Sequence, residues 1–275
     1  MLPKISIIDN LFSHAYSSSN WFKPTFFEWD FKNIDGNILF FTDNNLHKVD
    51  SYSNIKKYAW LVESPAVTPQ AYSYIYENWN KFDKIFTHSN RILERPNAHL
   101  LPIGGCHINE NDISYEHEKN KLVSMMYSFK RFAPGHNIRF QIANTLSDFV
   151  NVMGSGQNGI HVPKIESCKN FKYSIVIENC KEDCYFTEKI IDCFLTGVIP
   201  IYWGCPSIGN FFDKNGFFTF NTLEEVREIV ENKNFLLDFY TKNKNIIIQN
   251  FHLALQYKVA EDYLWKQYLS PNIQK

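Results

Sequence analysis

Residues 173–204 read YSIVIENCKEDCYFTEKIIDCFLTGVIPIYWG, and this stretch decides the fold class. Tyr173–Ile177 is a β-branched run of the kind that fits a strand buried on both faces of a parallel sheet. Glu178 and Asn179 end it. Thr187, Glu188 and Lys189 sit in the first turns of a helix. At about 100° per residue, Ile190, Ile191, Phe194 and Leu195 fall on one side of that helix, and Tyr185, Glu188, Lys189 and Asp192 on the other. Val198–Ile201 is a second buried strand, closed by Trp203-Gly204. Strand, loop, helix, strand is the repeating unit of a parallel α/β sheet. In such sheets ligands bind beyond the carboxyl ends of strands, and helix N-termini favour anions. Polar residues gathered where the first strand hands over to the helix therefore mark a site for a phosphorylated ligand. The plain alternative is an amphipathic helix with a solvated charged face.

The same alternation extends on both sides. Lys121–Tyr127 reads as a strand, His136–Leu146 as a helix, and Val150–Met153 as a strand ending in Gly154-Ser155-Gly156. Thr222–Glu231 is an amphipathic helix with Thr222 as N-cap, and Phe235–Leu269 is mostly helical. Upstream, Lys4–Ile8, Asn37–Thr42, Tyr58–Val62, Lys84–Thr87 and Ala98–Pro102 are strands, and Pro69–Lys81 is a helix. Between the two series, residues 109–120 (NENDISYEHEKN) are polar and read as a linker. The expected architecture is α/β with two Rossmann-like lobes facing a cleft. Residues 1–110 form the first lobe and 120–245 the second, while 246–275 form a helical segment crossing back to the first.

Composition excludes several classes. A formal net charge of −1 over 275 residues leaves no basic surplus for a nucleic-acid binder. The six cysteines form no C-x-x-C pair, which points to reduced thiols in the cytoplasm rather than a zinc site or a disulfide framework. Ile5–Ile8, the longest early apolar run, is too short for a secretory or membrane-spanning segment. No phosphate-binding P-loop, no G-x-G-x-x-G and no metal-holding D-x-D triplet is present.

Two further clusters carry chemistry. Trp60-Leu61-Val62 runs into Glu63-Ser64-Pro65, where Ser-Pro breaks the strand and fixes the turn. Glu63 then stands at a strand's carboxyl end on the lobe opposite Lys189, either as a loop carboxylate or, if the lobes close, as a general base for an attacking hydroxyl. Ser128-Phe129-Lys130-Arg131 and Arg139 bring cations to the same edge. Arg139, one turn into its helix, is placed to grip a phosphate through two parallel N–H donors, while Lys130 and Arg131 also fit solvated loop charges. His88, His99, His107 and His161 show no ligand spacing and read as core or surface residues.

These residues resemble glycosyltransferase family 10, the α-1,3/1,4-fucosyltransferases. Ile177-Glu178-Asn179, Tyr185-Phe186-Thr187-Glu188-Lys189, Gly197-Val198-Ile199-Pro200 and Gly204 are similar to its F-E-N…Y-x-T-E-K…G-x-V-P-V-x-x-G signature. Glu63-Ser64-Pro65 is similar to its E-S-P segment, and Lys121-Leu122-Val123…Ser128…Arg139 to the strand and arginine that open its donor lobe. The resemblance implies a GT-B fold and inverting transfer from a GDP-sugar, usually GDP-fucose, to a glycan or lipid-linked oligosaccharide, with no metal and no other cofactor. It implies that Glu63 is the base, that Arg139 and Lys189 hold the pyrophosphate, and that Asn179, Tyr185 and Glu188 line the donor pocket. Glu178 and Ser128, within the same motifs, are counted with the donor-binding residues. The sequence departs from the family at Phe129, where the family has Asn, and at Cys180, where it has Ser. It also lacks the family's paired extracellular cysteines and Golgi anchor, which fits a bacterial or virus-encoded enzyme. Transfer of another GDP-linked hexose or deoxy sugar, or a non-catalytic nucleotide-sugar or glycan-binding module, are the alternatives.

Overall fold

The computed structural model describes residues 2–10, 17–19, 21–34 and 36–270; the remaining residues of the expected first lobe and C-terminal segment lie outside those described. Six strands form the first sheet: β1 (Lys4–Ile8), β2 (Glu28–Asp30), β3 (Ile38–Thr42), β4 (Lys56–Trp60), β5 (Lys84–Thr87) and β6 (Ala98–Leu100). They run parallel in the order β2-β1-β3-β4-β5-β6. The second sheet holds β7 (Lys121–Met126), β8 (Asn151–Met153), β9 (Phe171–Ile177), β10 (Ile199–Trp203) and β11 (Phe218–Thr219), parallel in the order β11-β10-β9-β7-β8. Each order reverses beside its first strand, between β1 and β3 and between β7 and β9. Such switch points open crevices at the strands' carboxyl ends, where ligands bind.

The helices are α1 (Pro69–Asn78), α2 (Asn90–Leu93), α3 (Pro134–Thr145), α4 (Ser155–Asn158), α5 (Glu188–Phe194), α6 (Leu223–Glu231), α7 (Lys233–Lys242), α8 (Lys244–Ala254) and α9 (Ala260–Leu264). They cover both faces of each sheet, which is why β9 is buried from Tyr173 to its end and β10 throughout, with no alternation of buried and exposed positions. Ile175, Ile177, Ile199 and Ile201 point to one face, with Ile142 of α3, Val226 of α6 and Ile247 of α8. Val176 and Tyr202 point to the other, against Ile190 and Phe194 of α5.

From Ile190 to Phe194, helix α5 is buried on every side. Asp192, on its expected polar side, is fully buried, and its Oδ1 accepts the His107 N–H at 2.8 Å. The polar stretch 109–120 is strapped onto the second sheet: Ser114 N–H donates to Leu195 O at 3.0 Å, and Ile113 and Tyr115 pack against its core. The three-residue β2 and two-residue β11 are too short for periodicity to reveal. At the C-terminal end, Ala260, Leu264 and Leu269 join Ile5, Ile7, Trp29 and Trp60 in the core of the first sheet. The buried Glu261 accepts from Ser18 N–H at 2.8 Å and from Ser18 Oγ–H at 2.7 Å. The lobes also touch at Gly104, whose N–H donates to Phe186 O at 3.1 Å. A Cβ there would lie 2.3 Å from Tyr257 O, and φ is +53°, so only glycine fits the approach. Among the described residues no helix is long and apolar enough to cross a membrane.

Candidate active site

Two cavities open between the sheets' carboxyl edges. One, of about 700 Å³, lies against the second sheet and is bordered by Met126, Gly154, Lys164 and Ser174. The other, of about 550 Å³, lies between the lobes and is bordered by Val62, Glu63, Phe132, His136, Asn179 and Tyr185. His107, Ser128, Lys130, Arg139, Glu188 and Lys189 border both. The structure thus brings Glu63 of the first lobe into one cavity with six of the seven donor-site residues expected in the second.

Thr187 starts α5 as its N-cap, accepting the Lys189 N–H at 3.4 Å. Its own N–H and hydroxyl go to the Glu178 carboxylate at 3.0 and 2.8 Å. Lys189 Nζ completes the knot, 2.9 Å from Thr187 Oγ1, 3.4 Å from Glu178 Oε2 and 3.3 Å from Glu188 Oε1. Glu178 is fully buried and borders neither cavity; its carboxylate holds the first turn of α5 in place. Its expected contact with the donor is therefore replaced by a positioning role. Burial raises the Glu188 carboxyl, but Lys189, His107 and Lys164 outweigh it and hold that group far below the usual range. Burial lowers the Lys189 ammonium, and Glu188 and Glu178 outweigh it to keep it charged.

Arg139 is buried beneath β9, and its guanidinium bonds differ from the two-pronged phosphate grip expected of it. Nε and Nη2 both donate to Ile177 O, the former at 3.1 Å, and Nη2 also lies 3.4 Å from Asn179 Oδ1. The Nε–Nη2 edge is spent on the strand end, and among the described residues no hydrogen bond engages Nη1. Asn179 O accepts the Gly135 N–H at 3.0 Å, so the start of α3 is pressed against the end of β9. Tyr185 is buried with its ring 4.7 Å from that of His88.

Glu63 follows β4 and is half-buried. The Asp43 carboxylate accepts the Val62 N–H at 3.0 Å and the Glu63 N–H at 3.3 Å. Burial raises the Glu63 carboxyl above its usual range, the Lys189 charge opposing and the Glu188 charge adding to it. A carboxylate so destabilised is a stronger base than an exposed one. Ser128 and Lys130 follow β7 at the switch point. His107 carries no signal in the sequence, yet its Nδ1 lies 3.9 Å from Glu188 Oε1; only the strap from the first lobe brings it there. Among the described residues, no group of three or more His, Cys, Asp or Glu side chains is arranged to hold a metal ion.

The family model described as glycosyltransferase family 10 (fucosyltransferase), C-terminal, matches residues 116–273, more than half of the chain. Over 138 residues the chain is 30% identical to the alpha-(1,3)-fucosyltransferase FucT of Helicobacter pylori, which covers 46% of this chain and 29% of that protein. Over 143 residues it is 26% identical to a putative fucosyltransferase-like protein of Arabidopsis thaliana, covering 50% and 28%. The matches span less than a third of either relative. Among solved structures, an α1,3-fucosyltransferase with GDP-fucose has a TM-score of 0.55 at 18% identity, covering 93% of this chain and 90% of that one. Anabaena HepE in complex with UDP-glucose has a TM-score of 0.59 at 12% identity, covering 85% and 78%. These likenesses establish the fold, the two-lobed GT-B type expected from the sequence.

Proposed function

Because this chain belongs to glycosyltransferase family 10, we propose that it transfers fucose from GDP-fucose to a hydroxyl of a glycan acceptor, with inversion and without a metal ion. The observation that carries the reading is that Glu63 shares one cavity with Lys130, Arg139 and Lys189. The donor pyrophosphate lies among the cations, and the sugar projects toward Glu63. Glu63 takes the acceptor's proton as its oxygen attacks the anomeric carbon, and the bond from that carbon to the β-phosphate oxygen breaks. The electron pair leaves with GDP. Lys130 and Lys189 take up the charge that gathers on the leaving phosphate. A single base facing the leaving group across the anomeric carbon inverts its configuration. The acceptor is a glycan or lipid-linked oligosaccharide met in the cytoplasm; the cysteines stand free, in keeping with a reducing compartment.

The purified chain, offered GDP-fucose, GDP-mannose and UDP-glucose with a glycan acceptor array, is expected to release GDP from GDP-fucose and to form an inverted product. EDTA is expected to leave the rate unchanged. Turnover of a different donor would move the reading to another sugar. Nucleotide binding without release from any donor and acceptor pair would make the chain a binding module.

A further inference from the structure

His136 stands in the first turn of α3 and belongs to none of the interactions described above. The Ala133 N–H donates to its Nδ1 at 3.2 Å. That nitrogen is therefore bare, and the ring's proton is on Nε2. Among the described residues nothing accepts from Nε2. The ring is fixed, being only 4% exposed and packed edge-to-face on Phe132 with centroids 4.6 Å apart. Burial, and then the charges of Arg139, Lys130, Lys189 and Arg131, push its pKa down to about 4, so the ring stays neutral beside a cluster of cations. Finally, His136 borders the cavity that holds Glu63 and not the one against the second sheet. It therefore lies with the cations on the side that Glu63 shares.

We propose that His136 binds the donor: Nε2–H gives a hydrogen bond to the β-phosphate, the end of the nucleoside diphosphate that leaves the sugar. This rests on the proposed transferase reading and adds a residue and a tautomer to it. No proton is transferred. As the anomeric C–O bond breaks, charge grows on the β-phosphate, and an imidazole N–H aimed there strengthens its bond. A neutral donor suits this position because a further cation beside Lys130, Arg139 and Lys189 would repel them when the site is empty.

The side-chain amides of Asn and Gln separate the two ring nitrogens. Asn at 136 reproduces Nδ1 and its bond to Ala133, whereas the longer Gln reaches the Nε2 position. GDP and GMP affinities are measured by calorimetry for the full chain and for His136→Gln, His136→Asn and His136→Ala, with thermal melts alongside. His136→Gln is expected to hold GDP within about threefold of wild type, and His136→Asn and His136→Ala to lose roughly tenfold. GMP, which lacks the β-phosphate, is expected to bind all four alike. Retention by Asn with loss by Gln would reduce His136 to a helix cap, and parallel loss of GDP and GMP would reduce it to a packing residue; either overturns the proposal. If wild type prefers UDP, the guanine part of the transferase reading falls, and UDP with UMP decides the role of His136 in the same way. If wild type binds no nucleoside diphosphate, both fall.

Discussion

The hydroxyl of Tyr72 donates to the main-chain oxygen of Glu63 at 2.7 Å. Its one proton is spent there, so the 3.0 Å contact with His88 Nε2 has the imidazole as donor. His88 is fully buried, and burial pushes its pKa down to about 3. It is a neutral prop behind Tyr72, its ring tilted 43° against that of Tyr185. With Asp43 bonded to the Glu63 N–H, the peptide that carries the candidate base is held at both ends.

Tyr72→Phe leaves the Glu63 carbonyl and the His88 N–H without that partner, at a cost of about 1–3 kcal/mol. The expected result is a lower Tm and a kcat reduced roughly tenfold with donor KM little changed, because misplacing the base leaves donor contacts intact. Steady-state kinetics check this; an equal rise in KM would place the damage in the donor site instead.

Glu63→Gln is expected to lower turnover roughly 10²- to 10⁴-fold while keeping GDP affinity. The carboxylate is the active form, so kcat/KM falls as pH drops through the raised pKa, and the acid limb lies above the ordinary value of 4.5. Stability moves the other way. A carboxyl whose pKa is raised by folding contributes stability below the unfolded-state pKa, and this is lost as pH rises through the folded one. Glu63→Gln is therefore expected to melt at or above the wild-type temperature at neutral pH. A variant that stayed fully active would remove Glu63 from the mechanism.

Lys189→Ala removes the counter-charge from a carboxylate, Glu178, whose side chain is 0% exposed, and leaves it only the two bonds from Thr187. Removing one member of a buried pair costs ~3–5 kcal/mol, and the partial exposure of Lys189 places this case at the low end. The double variant Glu178→Gln/Lys189→Ala is expected to recover most of the lost Tm but none of the lost GDP affinity. If both recovered together, Lys189 would act on the nucleotide only through the fold.

Gly135→Ala is expected to weaken the donor site from a distance. A Cβ at this position would stand 1.7 Å from Glu178 O, so α3 must move off the end of β9 and carry Arg139 with it. Overpacking of this kind costs ~1–3 kcal/mol. A melting curve and a GDP titration are expected to shift together; an unchanged affinity would show that Arg139 is not needed at its present depth.

Much of the fold is legible along the chain because its causes are local. β5 spans Lys84–Thr87 as its apolar run indicates, and Thr222 caps α6 with Glu225 returning to the Thr222 N–H. The signals fail where structure depends on distant partners. Glu178 and Glu188 lie ten residues apart in one motif and read alike, yet one carboxylate turns inward to Thr187 and the other borders both cavities. Arg139 reads as a phosphate fork, but the end of β9 offers its carbonyl first.

The sequence by itself determined the parallel α/β class, the strand-to-helix handover at 178–189, and Glu63 at the end of a strand, since these follow from periodicity and from Ser-Pro chemistry. Tertiary structure alone decided that Glu63 shares a cavity with Lys189, that His107 reaches Glu188, that Arg139 turns to the Ile177 carbonyl, and that Nδ1 of His136 is the nitrogen that accepts from Ala133. Those outcomes are set when two sheets close and each buried donor or acceptor must find a partner, a competition among groups far apart in the chain that no local pattern records.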